Sequence, residues 1–457
     1  MLQPDSFLGY VIKTYQSVSR SDAVRGMVQS LAVTGTAAVV SFAMLLIMAR
    51  SMGDAEFGRT ASWLNGLSFL AVVAVFGQEI MFVRSWNELV HRKRYDQANG
   101  LLRFGLAISL SGASILSIAV LGFVLFFDRR ADLAIALASF LFVQTLCLFT
   151  SQTARITRGT VPGVVHREIS WRVLIIASVA AASLLNLPFD RLTFFITAVV
   201  GLCFAVALQT RSTLISIPAE VKAAQPSFET APWTKRSARM WVAGLIEAAS
   251  QYLDVVLIAI LLSPREAGIY FVASKLASLF LVLADALNLF SSRKIAFLYH
   301  KPDARALERT LKHVSMLTAI FVICGLLVMV GFGVHLLQIF GNSYADNKTI
   351  LIVLCAGTSA MALGGPSAQL LLLTGHETVY VRTLAVVVVF RYLGIGCLGL
   401  FAGLVGAAVA NALAMIALSA TLIFLCNKLL RLDPSALAIL YSRPGEATAS
   451  PPLPTRN

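Results

Sequence analysis

Residues 44–73 read MLLIMARSMGDAEFGRTASWLNGLSFLAVV. Two apolar runs meet at a short polar break, with Glu56 and Gly58 just beyond it. A Gly two residues after a Glu marks a helix-to-helix corner. Gly supplies backbone angles that other residues avoid, and a carboxylate suits the first turn of the next helix. The same pattern returns at residues 259–268, AILLSPREAG, where Glu266 aligns with Glu56 and Gly268 with Gly58. Taken alone, these are two turns that look alike. What flanks them decides whether they form a repeat.

The flanks are apolar on a scale that excludes a soluble protein. Of the 457 residues 58% are hydrophobic and only 13% are charged, about half the usual charged share, and the mean hydropathy is +0.79. A spanning helix needs about 20 apolar residues, and the chain offers that many times over. The predicted fold class is an all-α polytopic membrane protein of about twelve transmembrane helices, in two parallel six-helix repeats with a central cavity between the halves. The expected spans are 28–50, 59–84, 104–127, 132–155, 168–187, 191–216, 238–262, 266–291, 312–336, 349–374, 378–401 and 404–427. Residues 1–26 form an N-terminal tail that either lies on the membrane surface or hangs free. Residues 27–217 form the first bundle, 218–236 a polar linker with three prolines, and 237–432 the second bundle. Residues 433–457, rich in Pro, Ala and Ser, read as a disordered tail. The first apolar run is too long for a signal-peptide core. All six cysteines fall inside apolar runs, which gives neither a disulfide framework nor metal-ligand spacing.

Basic residues set the orientation, because cytoplasmic loops retain Lys and Arg. With the N-terminus inside, most of the 37 Lys and Arg fall on alternate, cytoplasmic segments. Arg155, Arg158, Arg167 and Arg172 are assigned to one of these, after span 4. Both termini of this multi-pass protein are then cytoplasmic. The net charge of +14 is mostly this topological bias and carries no implication of nucleic acid. Both corners fall on outer loops six spans apart, so the halves enter the membrane the same way. Parallel repeats of this kind occur in transporters that alternate access around a site between the halves.

The run MARSMGDAEFGRTASWLNGLSFLAVV resembles the first-hairpin signature of the bacterial polysaccharide-biosynthesis flippases of the Wzx type (O-antigen and exopolysaccharide). These belong to the multidrug/oligosaccharidyl-lipid/polysaccharide exporter superfamily. YLDVVLIAILLSPREAGIYFVASKLASLF resembles the matching signature of the second half. LLLLTGHE at 370–377 and AGLVGAAVANAL at 402–413 are in character. The resemblance covers roughly residues 25–430 and lies in structural corners, so it is weak on substrate. It implies a place in a bacterial inner membrane and movement of an undecaprenyl-diphosphate-linked oligosaccharide to its outer leaflet, in lipopolysaccharide or exopolysaccharide biosynthesis. It also implies a possible partnership with a polysaccharide polymerase complex. Lipid II flippases of the superfamily usually carry two more helices than the twelve counted here.

Ionisable groups inside a bilayer cost several kcal/mol and usually face a cavity or a partner. Away from span ends they are Glu79, Glu247, Asp254, Lys275, Asp285 and Arg391. By depth, Asp254 matches Lys275 and Glu247 matches Asp285. On the functional reading, Lys275 and Arg391, with Arg84 at the inner mouth, attract the substrate diphosphate; the planar fork of Arg suits phosphate. Glu247, Asp254 and Asp285 are then candidates for binding a coupling proton or Na⁺. The alternative is an Asp254–Lys275 ion pair that only joins two helices. Glu79 reads as structural, a turn or so from the inner end. Gly364-Gly365-Pro366 interrupts span 10 and is a candidate hinge, or a fixed packing kink. Gly399 and Gly403 have the spacing of a close packing face.

Three function classes remain. The first is a lipid-linked oligosaccharide flippase. The second is an ion-coupled drug or metabolite antiporter of the same superfamily, against which stands the absence of an acid in residues 28–49. The third, a membrane polymerase or ligase, would need long outer loops, and these are short. No nucleotide-binding loop, metal cluster or nucleophile–base pair is found, so no enzyme activity and no cofactor are expected.

Overall fold

The computed structural model describes Gln29, residues 32–282, Ala284 and residues 304–436. Among the described residues there is no strand. The helices are α1 (Ala32–Met52), α2 (Asp54–Val75), α3 (Gln78–His91), α4 (Tyr95–Phe127), α5 (Ala131–Arg158), α6 (Thr160–Val165) and α7 (Trp171–Leu184). They continue as α8 (Arg191–Ser216), α9 (Ala219–Ala223), α10 (Thr230–Leu261), α11 (Pro264–Ala277), α12 (Ala304–Gln338), α13 (Asn342–Ala345), α14 (Lys348–Leu363), α15 (Ser367–Leu373) and α16 (Glu377–Leu430).

Among the described residues, seven helices are long and apolar enough to cross a bilayer unaided. The pairs α2–α3 and α14–α15 cross as bent spans, broken by 43° and 41°. α16 makes two passes, turning at Ala402 and Gly403, where the backbone is non-helical. Gly403 therefore forms a corner and not the packing face its spacing had predicted. α6 and α7 are joined through a π turn, His166–Ser170, into one further pass. The architecture is twelve passes in two parallel six-helix halves around a cavity. Rings such as those of Phe126 and Phe401 point outward, 77% and 90% exposed, onto the belt that lipid covers.

The two corners begin helices, with Glu56 and Glu266 in the first turns of α2 and α11. Ser263 caps α11: its hydroxyl accepts from the Glu266 N–H at 3.2 Å and contacts the Glu266 carboxylate at 2.8 Å. We call the end of the bundle bearing the corners the outer end, following the charge bias. There the aligned glycines meet each other. A Cβ added to Gly268 would lie 3.1 Å from Gly58 Cα, and one added to Gly58 would overlap the Pro264 carbonyl. Around this crossing, Asp54 faces Arg265 at 3.6 Å, and Phe57 packs against Phe271 and Tyr344, with ring centroids 6.3 and 6.5 Å apart.

Two depth assignments need correction. The apolar count started span 5 at residue 168, but the helix runs continuously from Thr160. Val161, Val164 and Val165 lengthen it inward, so Arg167 and Arg172 lie on a spanning helix and not in a cytoplasmic loop. Likewise α3 continues to His91, so Glu79 lies about 18 Å from its inner end at 1.5 Å per residue, deeper than expected. Span 2 is broken at Phe76 and Gly77, which the sequence did not signal. The carbonyls freed there are taken up by α10: the Trp241 indole donates to Val73 O at 3.1 Å, and the Ser237 hydroxyl to Phe76 O.

The corner contact makes a prediction. Gly58→Ala forces α2 away from Pro264 and should cost about 1–3 kcal/mol, seen as a lower melting temperature in detergent. Gly66→Ala, whose Cβ would meet only Val256 Cγ2 at 3.6 Å, should melt as the native protein does.

Candidate functional site

Inward of the glycine crossing lies a cavity of about 550 Å³, lined by α10, α11, α14, α16 and Asn65 of α2. Glu247, Asp254, Lys275 and Arg391 all line it. Among the described residues, Asp254 and Arg391 form one arrangement in its wall, Glu247 stands alone, and Lys275 belongs to a second arrangement that continues beyond the lining to Arg167, Glu168 and Arg172.

The first is closed on itself. Asp254 and Arg391 form an ion pair with both side chains only 8% exposed. Arg391 Nη1 also donates to Ser250 Oγ at 3.0 Å. The Tyr270 hydroxyl donates to Asp254 Oδ2 at 3.0 Å, and Asn411 Nδ2 donates to that hydroxyl at 2.7 Å. This network ties α10, α11 and both legs of α16 together. Helical rise explains the partners: Asp254 and Tyr270 each lie about 10 Å from the outer ends of their helices, and Lys275 about 6 Å deeper. The alternative Asp254–Lys275 pair is thus not formed. Buried Asp254 Oδ1, Arg391 Nε and Asn411 Oδ1 have no hydrogen-bond partner.

The second arrangement is open and positively biased. Lys275 makes no ion pair or side-chain hydrogen bond with a described residue; its ammonium sits 5.3 Å from the Phe271 ring centroid. Within its electrostatic reach are Arg172 and Glu168, from the first half of the chain. Glu168 bridges two arginines, 3.1 Å from Arg167 Nε and 2.7 Å from Arg172 Nη1. Arg172 also stacks over Trp171, 4.8 Å from its centroid. These side chains are 32%, 29% and 18% exposed for Arg167, Glu168 and Arg172, and Tyr252 of α10 faces all three. Gly201, about 15 Å along α8, is where Trp171 packs. The cluster therefore lies near mid-membrane, at the depth of Lys275. Glu79 of α3 also lies within electrostatic reach of Arg167, so three cations stand against two carboxylates and a net positive charge remains.

The remaining candidates stand apart. Glu247 is exposed at the cavity wall. Arg84 faces Glu377 at 3.8 Å, both more than half exposed, bridging the halves near the inner end; such a pair is worth about 0–1 kcal/mol. Asp285 lies outside the described residues. Gly364, Gly365 and Pro366 form the break between α14 and α15. Sequence reasoning missed Arg167, Glu168 and Arg172. The signal was present: Glu168 and Arg172 are spaced i, i+4 for a helical ion pair, and valines precede them.

No family model and no curated protein matches the chain. Solved structures do. An inward-facing multidrug resistance MATE family transporter of the MOP superfamily aligns with TM-score 0.70 at 10% identity, over 84% of this chain and 92% of that one. Its outward-facing counterpart gives 0.61 at 10% identity, over 87% and 93%. The lipid II flippase MurJ, in an inward closed conformation, gives 0.62 at 12% identity, over 87% of each chain. The chain has the MATE and MurJ fold. At such identities the likeness establishes the fold alone.

In this MATE-like fold the Asp254–Arg391 pair is open to a stability test. Asp254→Ala leaves a buried guanidinium unpaired and should destabilise by about 3–5 kcal/mol. Replacing both partners, Asp254→Leu with Arg391→Met, should restore most of the loss. Melting of the three proteins in one detergent measures both effects.

Proposed function

We propose that the chain translocates an anionic lipid-linked oligosaccharide, of the undecaprenyl-diphosphate class, from the cytoplasmic to the outer leaflet of a bacterial inner membrane. Its termini face the cytoplasm, and the product serves surface polysaccharide assembly. The observation that carries this reading is the net positive charge of Arg167, Arg172 and Lys275 over Glu168 and Glu79 at mid-membrane. A diphosphate supplies what this cluster lacks: several acceptor oxygens and negative charge. Charge-assisted hydrogen bonds of this kind are the stronger ones. The two arginines come from the first half and the lysine from the second, so a bound diphosphate would bridge the halves and bias their arrangement. Arg391 drops out of direct phosphate binding on this reading, because Asp254 already occupies it. The cavity of about 550 Å³, which Lys275 alone of the cluster lines, is within the usual range for a small ligand. A headgroup of several sugars requires the halves to part further. A polymerase that consumes the product on the outer face is the partner this cargo chemistry implies.

The other reading, an antiporter of organic cations, draws on Glu247 at the cavity wall. It is weaker, because the second carboxylate there, Asp254, is neutralised by Arg391 and the surplus charge has the wrong sign.

Reconstitution into liposomes with an undecaprenyl-diphosphate-linked sugar tests the proposal. Protein-dependent transfer between leaflets is expected, and it should fall at least tenfold in Arg167→Ala and in Lys275→Ala at unchanged melting temperature. Transfer that survives both changes makes the cluster structural. Ion-driven uptake of organic cations with no lipid transfer establishes the antiporter.

A further inference from the structure

The break at Gly364–Pro366 is not left to itself. A broken span frees backbone carbonyls that lipid cannot satisfy, so something in the protein must take them up. Here the partner comes from the chain beyond the last span. After Leu430 the backbone turns at Arg431 in the left-handed region and folds back against the bundle. The Ala436 N–H donates to Leu363 O, the carbonyl at the edge of the break, at 2.9 Å. Two residues earlier, Pro434 O accepts from the Ser315 hydroxyl of α12 at 2.6 Å. Asp433 holds the intervening turn in shape, accepting from Ser435 N at 2.9 Å and from Ser435 Oγ at 2.7 Å. The fit is close at the break itself. Gly365 has φ +64, and a Cβ there would overlap the Pro434 carbonyl. Leu432 packs onto a cluster of Leu311, Leu370, Leu371, Leu422 and Cys426, and Cys426 Sγ donates to Ser367 O at 3.4 Å.

We propose that residues 431–436 are a strap that latches the span-10 break in its bent form, joining α12, α14 and the end of α16. The strap substitutes for the helical hydrogen bonds that a straight span 10 would make. Straightening the span returns Leu363 O to its own helix and requires the Ala436 contact to release. The latch is thus a conformational device on the second half of the bundle. It stands whether or not the cargo is a lipid-linked sugar.

Hydrogen exchange and thiol labelling on the full chain test this. Asp433→Ala removes the turn's carboxylate, and Ser315→Ala removes the hydroxyl that holds Pro434. In each, backbone exchange over residues 360–373 should rise about tenfold, and Cys426, buried in the native protein, should react with maleimide about tenfold faster. Ser315→Thr keeps a hydroxyl donor and should return both rates to the native values. Gly365→Ala, which displaces Pro434 from the other side, should behave like Asp433→Ala. Native rates in Asp433→Ala and Ser315→Ala would overturn the latch. So would faster exchange spread evenly over α4, α5 and α8, since that reports general loosening. Neither readout depends on transport, so failure of the latch is distinguishable from failure of the transport reading.

Discussion

The structure depends first on the absence of two side chains. Gly58 and Gly268 occupy equivalent places in the two halves, and they touch one another at the outer end. Any Cβ at Gly58 would part α2 from α11, and with them the packing of Phe57 on Phe271 and Tyr344. The cavity lies inward of this contact, lined mainly by α10, α11, α14 and α16. An element repeated in sequence has thus become a self-contact across the axis relating the halves. Small residues suit this task inside a membrane, where close backbone approach replaces hydrophobic driving force.

Around that cavity the protein treats its buried charges in two ways. Asp254 and Arg391 cancel, with Ser250, Tyr270 and Asn411 supplying further hydrogen bonds. Such a network fixes the geometry of four passes more than it adds net stability, since desolvation offsets much of the attraction. Arg167, Arg172 and Lys275, of which only Lys275 lines the cavity, are left in surplus over Glu168 and Glu79. A membrane protein gains nothing structural from an unpaired lysine at mid-depth. The contrast between a closed network and an open one is the main physical reason to look for an anion in the space between the halves.

Much of the frame was legible in the residues. The corners, the parallel repeat and the turn near residue 402 all follow from apolar run lengths and from glycine placement. Depth was less legible. Counting apolar residues ends a span at the first cluster of charges, and it therefore put Arg167 and Arg172 outside the bilayer. A helix ends only where its hydrogen bonds end, and Val161 to Val165 carry it across. Partners were the least legible. Asp254 and Lys275 were expected to be level, but the partner at Asp254's level is Tyr270, and Arg391 reaches it from more than a hundred residues away. No local pattern encodes that meeting.

The two bent spans show why such partners matter. At Phe76 the freed carbonyls are met by Ser237 and Trp241, and at Leu363 by the backbone of Ala436. In both places a break in one pass is completed by a segment distant in sequence. A bend satisfied this way is held by groups on separate segments: a neighbouring helix at Phe76, and the chain beyond the last helix at Leu363. Breaks completed by a neighbour can change when that neighbour moves, whereas breaks completed locally cannot. In both bent spans, straightening the pass requires the distant group that completes the break to let go of its carbonyl.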